Sequence, residues 1–586
     1  MVVTEKPSVG RAIEKALGRG VKVFSLRGHV LDVDLPEDYG WNKVDPIEIF
    51  NVNEFKTIVR DKKTYTALKR FFQENYGTLV LATDNDHEGE LIAYEVLTIW
   101  QNIKGYHAPY VRMRFNSTDE NELIRAFKNP ERDLNWKWVY KAMLRRNFDL
   151  VTGAAFTRYL TFLSRRLGIK FSRVVSFGSC QSPTLYFIVK REREIKEFKS
   201  KVYWVLSAII DYKGFKFEVS SDKFEKEEDA IKIKERVERE AFGKVINYEE
   251  AYETIRRPLP IYTDDLLVDL VSLTGESASK ILSVAENLYA EGYISYPRTE
   301  TNKYPSGFNF KKPLYAVLDS SIGVEVSPHI SMSPSPRNGR KDDKAHPPIY
   351  PLRPYFGKGL EKTVWEYVAR RFVANAFAKD AKAVKQKVEV DIAGVKFTAN
   401  GSAIVDEGFF KVFSYFRPKD RELPSVKVGE YVKVLDVKVK KVKTKPPSRY
   451  TEAELLREME RQGIGTDATR ASFPKILLER GYSVKERKTF KPTTLGINLI
   501  NALESVEPKL VTPDTRRFVE ELMNKIERGK ERYENAFKIS KEVYKRLFEK
   551  LVRNESNVSK KLTAVSYTHL RAHETSLHLV CRLLLE

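Results

Sequence analysis

The run Thr78-Leu79-Val80-Leu81-Ala82 leads without a break into Thr83-Asp84-Asn85-Asp86-His87-Glu88-Gly89-Glu90. A short apolar run without alternation reads as a strand covered on both faces, and Glu88–Trp100 after it has helical periodicity. Strand, acidic turn and helix make a βα unit, which predicts an open parallel sheet flanked by helices. In such sheets sites lie at the carboxyl ends of the strands, where Asp84, Asp86 and Glu88 fall. Hard oxygen donors at this density suit Mg²⁺, with Mn²⁺ as a substitute. Without a cation, neighbouring carboxylates raise one another's pKa. The bland alternative is an acidic helix start, where negative charge is favoured in any case. Glu5 follows a clipped first strand at Met1–Val3 and is expected at the same edge, with Lys6-Pro7-Ser8 opening a helix that Gly18 stops.

Beyond the first ~130 residues the pattern changes. It is helical from Trp136 to about Phe198 with a break near Phe177–Gly178, and β-rich over 201–250 and 385–445. A weak repeat begins at Thr263-Asp264-Asp265 and again at Thr451-Glu452-Ala453, each closing on a Gly-Tyr pair, Gly292-Tyr293 and Gly481-Tyr482. Both units read as helix–turn–helix followed by a strand, or else as two unrelated helical hairpins. Lys and Arg number 102 against 80 Asp and Glu, a net charge of +22, which points to a polyanionic partner through counterion release. Two cysteines, Cys180 and Cys581, cannot build a disulfide framework or a four-thiolate zinc site. No apolar stretch is long enough to cross a bilayer, and no G-x-x-x-x-G-K-[ST] loop suggests ATP hydrolysis.

The second informative stretch is Gly292-Tyr293-Ile294-Ser295-Tyr296-Pro297-Arg298-Thr299-Glu300-Thr301. Alternation places Ile294 and Tyr296 on one face of a short strand that Pro297 ends, and a residue before proline is held extended. A phenol so presented can attack phosphorus, but with an ordinary pKa near ~10 it needs assistance. Arg298 supplies a fixed charge suited to phosphate oxygens. A strand-end tyrosine with its ring in the core is the plain alternative.

These two stretches together resemble the type IA DNA topoisomerases. Asp84-x-Asp86-x-Glu88-Gly-Glu with Glu5-Lys6-Pro7-Ser8 resembles their Toprim domain, a domain also found in primases and some nucleases; His87 stands where many relatives carry Arg. The Tyr296 stretch resembles the nucleophile signature. In family order follow Ser176-Phe177-Gly178-Ser179-Cys180-Gln181-Ser182-Pro183, Asp343-Lys344-Ala345-His346-Pro347-Pro348, Gly463-Ile464-Gly465-Thr466-Asp467-Ala468-Thr469-Arg470 and Pro492-Thr493-Thr494-Leu495-Gly496. The Cys-Gln, Ala-His-Pro-Pro and Gly-Thr-Asp-Ala-Thr variants look most like the topoisomerase III branch of archaea and eukaryotes. The resemblance covers about residues 1–550.

The resemblance implies an α/β plus α+β multidomain toroid: a doubly wound Toprim sheet, two winged-helix-like lobes and a β-rich arch. Toprim would take 1–135, the base lobe 136–200 with 446–555, the arch 201–255 with 385–445, and the nucleophile lobe 256–384. It implies an ATP-independent, Mg²⁺-dependent isomerase that cleaves one strand through a 5′-phosphotyrosine, passes DNA and rejoins, relaxing negative supercoils or decatenating. Tyr296 would be the nucleophile, Lys6, Arg298 and His346 its phosphate-side partners, and Glu5 a proton shuttle. Glu5, Asp84, Asp86 and Glu88 would hold the metal. His29, Arg145, Arg146, Asp149, Arg158, Gln181, Thr466 and Thr469 would contact DNA. Implied partners are single-stranded or underwound DNA and a RecQ-like helicase, with a monomeric, zinc-free enzyme in a prokaryotic, archaeal cytoplasm, or in the nucleus if eukaryotic. A Toprim primase or nuclease, or a single-strand-binding module with a silent site, are the rivals.

Residues 563–586 read differently. Lysine vanishes after Lys561, while His569, His573, His578 and Cys581 appear. The stretch is expected to be a non-native tail and not a zinc site.

Overall fold

The computed structural model describes residues 1–18, 20–171, 174–466 and 469–564. The expected tail lies outside the described residues from 565 onward, and with it the His569, His573, His578 and Cys581 set.

Four parallel strands form the first sheet, in the order Val23–Ser25, Val2–Thr4, Leu79–Ala82, Tyr110–Arg112. The two central strands are wholly buried, as their unbroken apolar sequences require. Side chains alternate across the sheet, and the two faces serve different cores. Val3, Leu79 and Leu81 pack with Leu91, Val96 and Trp100 of the His87–Lys104 helix. Val2, Val80 and Ala82 share a core with Leu266, Leu288, Tyr289, Ile294 and Tyr296. The sheet therefore seats the Tyr296 lobe directly on its second face, beside the carboxyl ends of its own strands.

Two helices, Trp136–Arg166 and Gln181–Glu197, build a second core with residues drawn from 455–562. A third unit is a closed six-stranded antiparallel barrel, in the order Ala381–Ile392, Val395–Asp406, Phe215–Ser221, Val202–Tyr212, Tyr431–Lys443, Phe242–Ile255. Closure removes the sheet edges that two separate β-rich segments would otherwise expose. Val432 and Val437 point into the barrel while Lys433, Lys438 and Lys440 stay exposed, with a bulge between Val434 and Asp436 shifting the register.

Both repeat units are helical pairs. Glu452–Arg461 and Phe473–Glu479 lead into the hairpin Ser483–Glu486/Thr489–Pro492, opened by a capping box between Thr451 and Glu454. Thr263–Thr274 and Ala278–Ala290 lead instead to a single bridge, Ile294 with Pro351. The strand expected through Tyr296 is thus reduced to one bridged residue, because Pro297 has no N–H to extend the pairing. Ile294 and Tyr296 nevertheless enter the same core, although Ser295 between them is buried as well. Gly292, at φ +78°, makes the turn that precedes them. Among the described residues no helix is long and apolar enough to cross a membrane.

Candidate active site

The acidic turn is held from behind by a buried arginine. Arg112 is fully buried and pairs with Glu90 at 3.0 Å. Its guanidinium also donates to the carbonyls of Leu81, Thr83, Met113 and Asp84. Glu90 in turn accepts from Arg114 and from the Asn135 N–H. Asp86 caps the His87–Lys104 helix by accepting from the Gly89 N–H at 2.6 Å. A Cβ on Gly89 would meet the Asp84 carbonyl oxygen at 2.1 Å, so only glycine lets helix and turn come this close.

On this frame Lys6 Nζ donates to Asp84 Oδ2 at 2.8 Å, and Glu5 accepts from the Asp84 N–H at 3.3 Å. Tyr296 comes from the other lobe, and its hydroxyl donates to Asp86 Oδ2 at 2.5 Å. Its N–H donates to the Asn116 carbonyl at 3.0 Å. Arg298 stands 3.9 Å from the same Asp86 oxygen and is bound by Glu286 at 2.7 Å. His346 lies against Tyr296, ring centroids 5.1 Å apart, with Nδ1 on Asp343 at 3.1 Å and Nε2 on the Asn85 carbonyl at 2.5 Å. Glu5, Lys6, Asp84, Asp86, Tyr296, Arg298 and His346 are therefore brought together from four distant stretches.

The electrostatics divide the acids. Burial, reinforced by Asp84, pushes the Glu5 carboxyl up to about 8, so it holds its proton at neutral pH. Burial also opposes ionisation of Asp86, but Arg298, the Gly89 N–H and the Tyr296 hydroxyl outweigh it and keep Asp86 below the usual carboxylate range. Burial, then Asp86 and Asp84, hold the Tyr296 phenol well above its ordinary value.

Glu88, one of the four acids expected to hold the metal, has cationic neighbours. It faces His29 Nε2 at 3.1 Å and Arg145 at 3.9 Å. Burial works against the charge on His29, yet hydrogen bonds to Glu88 and Glu95 raise it to about 10. Both its ring nitrogens are thus occupied by carboxylates. Among the described residues no group of three or more His, Cys, Asp or Glu side chains is gathered as a metal centre. What the turn does offer is Asp84 Oδ1, buried and without a hydrogen-bond partner among the described residues, flanked by Glu5 and Asp86. That fits Mg²⁺, which takes one or two carboxylates and keeps its waters.

Of the expected DNA contacts, Arg158 is committed elsewhere, donating to the Tyr39 and Gly40 carbonyls at 2.6 and 3.0 Å. Asp149 accepts from Ser179 and from buried Arg516, both at 2.8 Å. Gln181 binds back to Ser176, and Arg146 reaches Glu95 at 3.3 Å. The Arg145 Nε is buried without a partner among the described residues. Thr466 and Thr469 close a turn through their hydroxyls, 3.3 Å apart, while Asp467 and Ala468 between them lie outside the described residues. Sequence reasoning missed Arg112, Glu286 and Arg516, which carry no motif of their own, and gave no role to Glu90, the last residue of the acidic motif. Cys180 is buried, and burial pushes its thiol up to about 11, as befits a packing residue.

The chain has known relatives. A family model described as DNA topoisomerase matches residues 133–538, and a Toprim domain model matches 1–118. The chain belongs to the type IA DNA topoisomerases. DNA topoisomerase 1 of Thermoplasma acidophilum is 34% identical over 519 residues, covering 87% of this chain and 65% of that protein. DNA topoisomerase 3 of Candidozyma auris is 32% identical over 536 residues, covering 87% and 83%. The full-length topoisomerase I structure from Thermotoga maritima aligns with a TM-score of 0.75 at 25% identity, covering 94% of this chain and 90% of that one. Topoisomerases of this type are isomerases that act on DNA without ATP, and Toprim is a Mg²⁺-binding fold.

Proposed function

We propose that this topoisomerase cleaves one DNA strand through Tyr296 and rejoins it, and the observation that carries the reading is the Tyr296 hydroxyl seated on Asp86 of the acidic turn. Tyr296 Oη bonds to the phosphorus and the P–O3′ bond breaks, its electron pair leaving on the 3′ oxygen. Asp86, already the acceptor of the phenolic hydrogen, takes that proton. Glu5, still protonated, supplies one to the 3′ oxygen. Rejoining reverses both transfers, so phosphodiester energy is conserved and no ATP is consumed. Lys6 and Arg298 offer positive charge to the phosphoryl oxygens, and His346, braced by Asp343, orients beside the phenol.

Asp84 and Asp86, with Glu5 adjoining, would hold Mg²⁺, which when bound supplies positive charge for positioning the 3′-OH. Glu88 acts instead on His29 and Arg145. The Cys180-Gln181, Ala345-His346-Pro347-Pro348 and Gly465–Thr469 variants favour the topoisomerase III branch, and with it decatenation as the working reaction and a RecQ-like helicase as partner. The division into a Toprim domain, a base lobe, a β arch and a nucleophile lobe follows the same reading, as do a monomeric state and an archaeal cytoplasmic setting.

A single-stranded oligonucleotide labelled at either end tests the reading on denaturing gels. The wild-type chain should retain the 5′ end of the downstream fragment, and Tyr296→Phe should retain nothing. An adduct formed by Tyr296→Phe, or one on the 3′ end, overturns it. Relaxation and decatenation assays run in parallel decide between topological substrates.

A further inference from the structure

Tyr289 is the penultimate residue of the Ala278–Ala290 helix and lies in the same lobe as Tyr296. It is fully buried, and its ring meets that of Tyr296 edge to face, centroids 5.0 Å apart at 72°. Its backbone carbonyl accepts from Thr118 Oγ1 at 3.1 Å, tying it to the chain beyond the last parallel strand. Lys6 Nζ stands 6.0 Å from the ring centroid. The charges that act on its phenol are Asp84, then Glu122, Glu5 and Asp86. The ring is therefore a neighbour of both Tyr296 and Lys6.

That hydroxyl is buried and has no hydrogen-bond partner among the described residues. Buried tyrosine hydroxyls are normally paired, and an orphan costs about 1–3 kcal/mol. Phenylalanine would fill the same volume without that cost. The site thus keeps a donor that nothing among the described residues uses, within one ring of the nucleophile. The two cations nearby are already matched, Lys6 by Asp84 and Arg298 by Glu286. A neutral donor adds a directed bond where an anionic oxygen arrives, with no further charge to balance. Burial keeps the phenol protonated across the working range, so it remains a donor.

We propose that Tyr289 is a further substrate-contacting residue, whose hydroxyl donates a hydrogen bond to a non-bridging oxygen of the phosphodiester that Tyr296 attacks. Because both phenols belong to one lobe, the bond travels with the 5′-phosphotyrosine when the lobes separate. This inference rests on the cleavage reading above.

The test is Tyr289→Phe, which removes one oxygen and keeps the ring, in single-turnover cleavage of a labelled oligonucleotide. The scissile phosphate is used as the oxygen form and as each phosphorothioate diastereomer. The variant should cleave about tenfold more slowly and bind the oligonucleotide within about twofold of wild type. Its thermal midpoint should be unchanged or higher. One diastereomer should slow the wild type more than the variant, because the contact to that oxygen is already gone. Cleavage by Tyr289→Phe at the wild-type rate overturns the proposal, as does an equal response of both proteins to both diastereomers. A lowered midpoint with an unchanged phosphorothioate response marks a packing role and overturns it too. An adduct that survives Tyr296→Phe defeats the underlying reading, whereas a Tyr296-dependent adduct indifferent to Tyr289→Phe defeats only this one.

Discussion

The Tyr296 hydroxyl donates to Asp86 Oδ2 at 2.5 Å, joining residues 210 positions apart in the chain. One bond thus does two things: it orients the proposed nucleophile and it fastens the Tyr296 lobe to the acidic turn. His346 on the Asn85 carbonyl and the Tyr296 N–H on the Asn116 carbonyl lie on the same seam. Strand passage requires this seam to part, so the contacts that align cleavage are also those that must break afterwards. Cleavage itself removes the phenolic hydrogen and with it the bond to Asp86.

Asp86→Asn should therefore impair chemistry more than binding. An amide can still face the phenol but cannot take its proton, and adduct formation should fall about 100-fold or more, in the range of a lost general base. Oligonucleotide affinity, measured by fluorescence anisotropy, should stay within about threefold. Equal losses in affinity and adduct would show that Asp86 only holds the fold.

Gly89→Ala should be disruptive although alanine is the better helix former. The added Cβ would lie 2.1 Å from the Asp84 carbonyl oxygen, backbone that cannot swing aside. Helix and turn must separate, at about 1–3 kcal/mol for such overpacking, and Asp84 and Asp86 move with them. A lowered thermal midpoint with loss of adduct is expected. Gly18→Ala, with no atom within 4 Å of its Cβ, should retain the adduct despite its positive φ.

Arg112→Met should cost about 3–5 kcal/mol, since Glu90 would keep a buried charge and four carbonyls would lose a donor. Urea titration reads that loss directly. Adding Glu90→Gln should restore part of the stability without restoring adduct formation, because the acidic turn still lacks its brace.

The separation between legible and hidden residues has a physical basis. Asp84, Asp86 and Tyr296 could be placed because their positions depend on local structure: an apolar strand that ends, a helix that needs a cap, a proline that stops pairing. Glu88 sits one residue inside the helix, and the cation that claims it, His29, arrives from a loop 59 residues earlier. Arg158, expected to contact DNA, finds its partners in carbonyls about 118 residues away, which no local pattern announces. Arg516 and Asp149 meet across 367 residues, and no periodicity in either helix marks the encounter. The strands of the barrel were visible as two β-rich segments, yet its closure depends on pairings such as Phe397 with Ser221 that no local pattern encodes.

The proton-donor role proposed for Glu5 sets an alkaline limit on the reaction. Its carboxyl is pushed up to about 8, mainly by burial and then by Asp84, against an ordinary value near ~4.3. The folded state therefore binds more protons than the unfolded state between those limits. The stability this confers is fully present below the lower limit and is lost as pH rises through about 8. The same titration removes the proton proposed for the leaving 3′ oxygen. In buffer free of divalent cations, single-turnover cleavage should thus decline as pH passes about 8. Glu5→Gln should cleave slowly at every pH and lose this limb of the profile, since the amide neither holds nor releases a proton in that range. A Glu5→Gln profile that keeps the same alkaline limb would assign the titration to another group and leave Glu5 without its proposed role.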